Sequence, residues 1–240
     1  MKKFELTTES ITNEAGKKLF RIKALIDFGD VKAGEPGGYV EKEGNVSQDD
    51  NAWVSGDAEV FGNAKVSDNA RVSGNAWVSG DARVSGNAWV SGDAKVSGNA
   101  RVSDNAKVSG NAWVSGNAWV YGDARVSGNA WVSGNARVSG NAWVSGNAWV
   151  SGNARVSGDA LVFGDADYAL VKGFGTEFRC TTFYRGKDKK IMVNCGCFHG
   201  NLEAFRKQAK ETRSGKIAKE YLMIADLMEY HFASEDSSDE

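Results

Sequence analysis

Two histidines, three cysteines and a single proline in 240 residues leave this chain with little of what most catalytic and metal centres are built from. Cys180, Cys195 and Cys197 are odd in number, so they do not describe a disulfide framework and agree with a reducing compartment. No stretch reaches the ~18 to 20 consecutive apolar residues of a membrane span, and Met1 to Leu6 lacks the apolar run of a secretory signal. The expectation is a cytoplasmic protein with no membrane partner. Charge of one sign is also missing: Lys+Arg 29 stand against Asp+Glu 31, which argues against a dedicated polyanion binder. The length allows one large domain or two small ones.

What the chain has instead is a repeat. From Asn51 to Gly164 the pattern N/D-A-x-V-S-G recurs without slippage for nineteen hexads. Position 2 is always Ala and position 4 always Val, while position 3 is Trp, Arg, Lys, Glu or Leu. That in/out alternation is the signature of a strand. Position 6 is Gly except at Asp68 and Asp104, and position 1 is always Asn or Asp, residues that turn corners cheaply. Each hexad is a short strand plus a corner, and such strands bury their Val and Ala only by stacking coil upon coil, about 4.8 Å apart. A helix is excluded because a period of six does not match 3.6 and Val, Asn and Gly are poor helix formers.

The frame V-x-G-[ND]-A-x resembles the hexapeptide repeat of left-handed parallel β-helices, in which three hexads make one triangular coil. Upstream, Tyr39-Val40 and Asn45-Val46 occupy positions 3 and 4 of two degenerate hexads, followed by Asp49-Asp50 as an insertion. The segment Arg21 to Gln48 resembles the amino-terminal region of an uncharacterised bacterial and phage family of hexapeptide-repeat proteins, often labelled acetyltransferases. The run C-G-C-F-x-G-x-L-x-x-F, Cys195 to Phe205, is similar to a terminal module of phage and prophage-like proteins. The resemblance implies an all-β fold, a left-handed triangular parallel β-helix of about six to seven coils, with an N-terminal β cap and a small C-terminal α+β module. The expected divisions are a cap over 1–36, the β-helix over 37–173, a β-hairpin plus two helices over 174–232, and a disordered acidic tail over 233–240. In the module, Phe178 to Tyr184 and Lys190 to Cys197 read as the hairpin. Asn201 caps a helix to about Thr212, and a second helix runs from about Lys216 to Phe232.

Hexapeptide acyltransferases typically use a general-base His, and the related carbonic anhydrases hold zinc with three. The hexads contain no His and no Cys. No catalytic residue and no cofactor are expected, and Asp68 and Asp104 read as corner residues rather than bases. Cys180, Cys195, Cys197 and His199 offer zinc-type donors. Their spacing is wrong for a zinc knuckle, and Cys195 and Cys197 at i and i+2 read as packed neighbours on one strand face.

Position 3 carries the variation. At 18 residues per coil the hexads sort into three outward columns. One is a basic stripe: Lys65, Arg83, Arg101, Trp119, Arg137, Arg155. A second runs Glu59, Trp77, Lys95, Trp113, Trp131, Trp149 and ends in a tryptophan ladder. The third, Trp53, Arg71, Trp89, Lys107, Arg125, Trp143, Leu161, alternates cation with ring. Neighbouring rings can stack, and Arg71 can lie between Trp53 and Trp89. Exposed indoles also suit an interface. The expected function is a non-enzymatic scaffold that self-associates, most plausibly as a trimer, of phage or prophage origin. The alternatives are a binder of an anionic small molecule or nucleic acid along the basic stripe, and an acyltransferase-like enzyme on fold analogy alone.

Overall fold

A computed structural model describes residues 2–175 and 178–233. It is a parallel β-solenoid closed at both ends by antiparallel structure. Strands β1 (Phe4–Thr12) and β2 (Lys18–Ala24) form a hairpin, and β3 (Pro36–Val40) is the junction: it runs antiparallel to β2, while its Tyr39-Val40 end pairs in parallel with Glu59-Val60. Two glycines make that crossing possible. A Cβ on Gly37 would come within 2.4 Å of Ile22, and one on Gly38 within 2.6 Å of the Ala58 carbonyl.

Nineteen two-residue strands follow, β4 (Trp53–Val54) to β22 (Leu161–Val162), one beginning at every sixth residue. They fall on three faces of nine, seven and six strands, the first shared with β1 to β3. Partners are 18 residues apart, as in Trp113↔Trp131 and Val114↔Val132. Every repeat Ala and Val is at most 1% exposed, so the interior is one continuous column of methyl groups. The corners are left-handed: Gly80 has φ of 68°, and a Cβ there would sit 3.0 Å from the Gly98 nitrogen and oxygen of the next coil. Asp68 and Asp104 adopt the same φ of 59°, and their carboxylates accept the Gly86 and Gly122 backbone N–H at 2.9 and 3.0 Å. They are corner residues bonded to the neighbouring coil.

Position 1 builds ladders. Asn99 Nδ2 donates to Asn117 Oδ1, Asn117 to Asn135 and Asn135 to Asn153, each at 3.1 or 3.0 Å. Where Asp replaces Asn at Asp81, Asp93 and Asp123, the side chain still accepts from the preceding coil but has no N–H to pass on.

The solenoid ends earlier than expected. After Leu161–Val162 the chain makes a 3₁₀ turn, Asp165–Asp167, and β23 (Tyr168–Phe174) joins β24 (Arg179–Arg185), β25 (Ile191–Cys195) and β26 (Phe198–Asn201) in a four-stranded antiparallel sheet. The expected boundary at 173/174 therefore lies within that sheet, and the expected hairpin is its central pair. Helices α1 (Leu202–Thr212) and α2 (Gly215–Phe232) cover it, burying Phe205, Ile224, Met228 and Phe232 against Phe183 and Val193. Asn201 caps α1, its Oδ1 accepting the Ala204 N–H at 2.8 Å. Residues 234–240 of the expected acidic tail lie outside the described residues.

Both ends of the column are sealed by side chains. At the start, Lys3 is 2% exposed and its ammonium donates to the carbonyls of Asp50 and Ala52 at 2.7 and 2.8 Å. Asn45 donates to those of Gly62 and Ala64. At the finish, Trp149 N–H donates to Asp165 Oδ1, Arg155 N–H donates to Thr182 Oγ1, and the Arg155 carbonyl accepts from Asn194 Nδ2. Tyr184, fully buried, plugs the core itself.

Two outcomes follow from these contacts. Asp81→Asn restores a donor facing Asn99 and is expected to raise stability by about 0.5–1.5 kcal/mol, read from the denaturant midpoint; an unchanged or lower midpoint contradicts the ladder. Burial pushes the Lys3 ammonium down to about 8 from its ordinary 10.5, opposed by the nearby Asp50 carboxylate. Between those two values the unfolded chain holds a proton that the folded chain has released, so this group makes stability rise with pH across that window. One lysine Cε resonance is expected to titrate near 8; a set titrating uniformly near 10.5 would show that Lys3 is solvated.

Candidate functional site

The faces of the solenoid carry the side chains available for recognition, and their geometry follows one rule. Each exposed indole leans back over the coil before it, because its Nε1 donates to the Ser Oγ sixteen residues upstream. Trp89 bonds Ser73, Trp113 bonds Ser97, Trp119 bonds Ser103, Trp131 bonds Ser115, Trp143 bonds Ser127 and Trp149 bonds Ser133, all at 3.1–3.3 Å. The two exceptions have no serine there. Trp53 has Gly37, and its buried Nε1 has no partner; Trp77 has Phe61, which packs edge-on against it at 5.6 Å. The sequence carried this signal as the position-5 Ser of most hexads, but it is readable only once the coil register and the direction of lean are known.

Cations obey the same lean. Lys95 lies 5.0 Å above Trp77, Lys107 6.0 Å above Trp89 and Arg137 5.8 Å above Trp119, in each case from the following coil. The expected insertion of Arg71 between Trp53 and Trp89 does not occur. The N-terminal cap covers Trp53 with Phe4 and Phe28 and presents Asp30, with which the Arg71 guanidinium pairs.

On the second face Trp113, Trp131 and Trp149 form a stack, with centroids 5.0 and 5.2 Å apart and planes within 3° and 10° of parallel. They remain 41%, 37% and 49% exposed. Lys95 separates Trp77 from this stack. Since the ring faces between neighbours are closed, the ladder offers a strip of indole edges rather than open platforms for flat ligands.

The basic face brings Lys65, Arg83 and Arg101 into register on successive coils, then Trp119, then Arg137 beside Arg155. Among the described residues none of these cations forms an ion pair. Asp81, one corner away from Arg83, accepts a hydrogen bond from Asn63 Nδ2 at 3.0 Å.

The Cys/His group does not converge. Cys195 ends β25 and Cys197 lies beyond it in the turn at Gly196, so the two do not share a strand face as expected. The Thr181 hydroxyl donates to Cys195 Sγ at 3.1 Å, Asn153 Nδ2 donates to Cys180 Sγ at 3.8 Å, Cys197 is exposed, and His199 Nδ1 lies 2.7 Å from Asn194 Oδ1. Among the described residues no three His, Cys, Asp or Glu side chains are placed to hold a metal ion. Nor is any helix there long and apolar enough to cross a membrane.

Tandem strands on three faces, sealed by terminal caps, define the chain as a parallel β-solenoid repeat protein. Consistent with this, a family model described as the YdcK beta solenoid repeat matches residues 64–80, 78–92, 106–122, 118–134, 130–146 and 136–152, and over those segments the chain is similar to that repeat. No curated protein matches the chain.

The stack makes a direct claim on stability. Trp131→Ala removes both ring contacts and is expected to lower stability by about 1–3 kcal/mol, more than Trp89→Ala, whose ring makes the same kind of serine bond and lies under Lys107 but, among the described residues, stacks on no other ring. Equal thermal midpoints for the two variants would show that the stacking contributes nothing beyond burial.

Proposed function

We propose that the protein is a non-enzymatic, left-handed hexapeptide-type scaffold that self-associates through its tryptophan face, and that it derives from a phage or prophage. The observation that carries this reading is the Trp113–Trp131–Trp149 stack: three aligned indoles, each more than a third exposed, form a contiguous apolar strip on a face whose other position-3 residues are Glu59, Trp77 and Lys95. A second copy of the same face is the matching surface, because indole edges meet indole edges without burying a charge. The basic face is unsuited to self-packing, since cations would meet cations.

The six-residue side of each coil supports the left-handed hexapeptide reading, and the likeness of Cys195 to Phe205 to phage terminal modules supports the origin. A trimer is the assembly in keeping with hexapeptide-repeat proteins. The absence of His and Cys from the hexads supports a non-enzymatic role, because neither a general-base imidazole nor a thiolate is available on the coils. A second reading, an anionic partner held along the basic face, is favoured by the unpaired cations Lys65, Arg83, Arg101 and Arg137.

Light scattering on the 25.7 kDa chain tests the first reading. The wild type is expected at a multiple of that mass, and the Trp113→Ser/Trp131→Ser/Trp149→Ser variant at a lower one. A monomeric wild type, or an oligomer indifferent to the triple change, overturns self-association through this face. Turnover of acetyl-CoA with amine or sugar acceptors overturns the non-enzymatic role.

A further inference from the structure

At its C-terminal end the basic face meets the module. Its last two cations, Arg137 and Arg155, stand opposite each other on successive coils, and the turn joining β25 to β26 comes down beside them, so that Arg155 Nη1 donates to the Gly196 carbonyl at 3.2 Å. Solenoid and module together border an open cavity of about 180 Å³, lined by Arg137, Arg155, Ser139, Ser157, Asn194 and His199 among others. Among the described residues no carboxylate lines it.

We propose that this cavity binds a small tetrahedral oxyanion of the phosphate class between Arg137 and Arg155. Arg137 and Arg155 are like charges paired in register on successive coils, and among the described residues no acidic side chain offsets them. An oxyanion placed between them converts that repulsion into paired, charge-assisted hydrogen bonds, the geometry to which the planar guanidinium fork is suited. Ser139, Ser157 and Asn194 add hydrogen-bonding groups beside the rings of Tyr121 and Phe198, which suits an anion that keeps some of its hydration. The volume is below the ~300 Å³ at which sites for drug-sized ligands begin, so the cavity accommodates a free anion or a headgroup rather than a whole nucleotide.

The walls are fixed before any ligand arrives. Asn194, 8% exposed, donates to the Arg155 carbonyl at 2.9 Å and to Ser157 Oγ at 3.0 Å, while its Oδ1 lies 2.7 Å from His199 Nδ1. The module is thereby pinned to the last coils of the basic face. On the solenoid side the Arg137 guanidinium rests over the Trp119 ring. The site belongs to neither part alone. The inference narrows the second reading, an anionic partner on the basic face, to one pocket, and it is independent of self-association through the tryptophan face.

Inorganic phosphate titrated calorimetrically into the full chain at low ionic strength is the test. Saturable binding at one site per chain is expected, weakened about tenfold by Arg137→Gln and by Arg155→Gln, while Arg83→Gln, on the same face outside the cavity, leaves it unchanged. Arg137→Gln is the more telling variant because Arg155 also contacts the module. Absence of saturable binding overturns the proposal, as does equal weakening by Arg83→Gln and Arg137→Gln, which would mean diffuse attraction to the face. A single-stranded oligonucleotide, titrated in parallel, separates the two readings. If it binds, and loses affinity equally with Arg83→Gln and Arg137→Gln while phosphate fails to bind, the face as a whole is the anionic surface and the pocket is not. If neither probe binds, both readings fall.

Discussion

Identical backbone is stacked on identical backbone at one strand spacing, and nearly every other feature of this molecule depends on that constraint. A residue in one coil has as its neighbour the residue 18 positions on, so a side chain is judged by how well it tolerates its counterpart. Alanine and valine tolerate theirs by packing methyl groups, and they fill the interior without exception. Asparagine does so because its amide has both a donor and an acceptor, so a column of them satisfies itself. Indoles do so by offset stacking while the ring N–H returns to a serine of the preceding coil. Aspartate and arginine do not tolerate their own kind, and their placement is where the repeat departs from uniformity.

The same stacking creates a problem at each end, because a coil with no successor presents unpaired backbone groups and a bare apolar core. Open edges of this kind are templates for uncontrolled strand addition. The two ends are sealed by different chemistry. At the N-terminal end a buried ammonium and a buried amide serve the exposed carbonyls, and at the C-terminal end Asp165, Thr182 and Asn194 serve the last N–H and C=O groups with side-chain oxygen and nitrogen. Side-chain caps end the ladder where a further parallel strand would only have moved the edge along. Using Lys3 for this purpose places a cation where it is poorly solvated, which is why its proton is held so weakly.

The solenoid was almost wholly legible in the sequence, because its rule is local: a Val every sixth residue with Ala two places earlier leaves no other way to bury both. The face assignments followed from the same count. The caps were legible only as departures from the rule. Nothing in the run Tyr168 to Phe174 says that its partner is the strand Arg179–Arg185 rather than a further coil, since both pairings suit an alternating apolar strand and the choice is made by long-range register. Likewise Arg71 looked free to lie between Trp53 and Trp89 until Asp30, far away in sequence, closed over it. The Cys195–Cys197 pair was misplaced for a local reason, since Gly196 has φ of 62° and turns the chain between them.

The candidate surfaces divide along the same lines. The tryptophan strip is a product of the repeat alone, readable from position 3, and its stacking closes the faces a planar ligand would use. The cavity beside Arg137 and Arg155 needs the repeat and the cap together, for the solenoid supplies only the cations and the module supplies the wall. Like charges in register are unfavourable anywhere on a solenoid, yet at Lys65, Arg83 and Arg101 they fan into open solvent, where water screens them. At Arg137 and Arg155 the cations are exposed too, but the module stands beside them and holds one guanidinium against a carbonyl, so its wall borders the like-charged pair. A fold that mostly lets each side chain meet a compatible counterpart keeps this mismatch where the solenoid and the module meet.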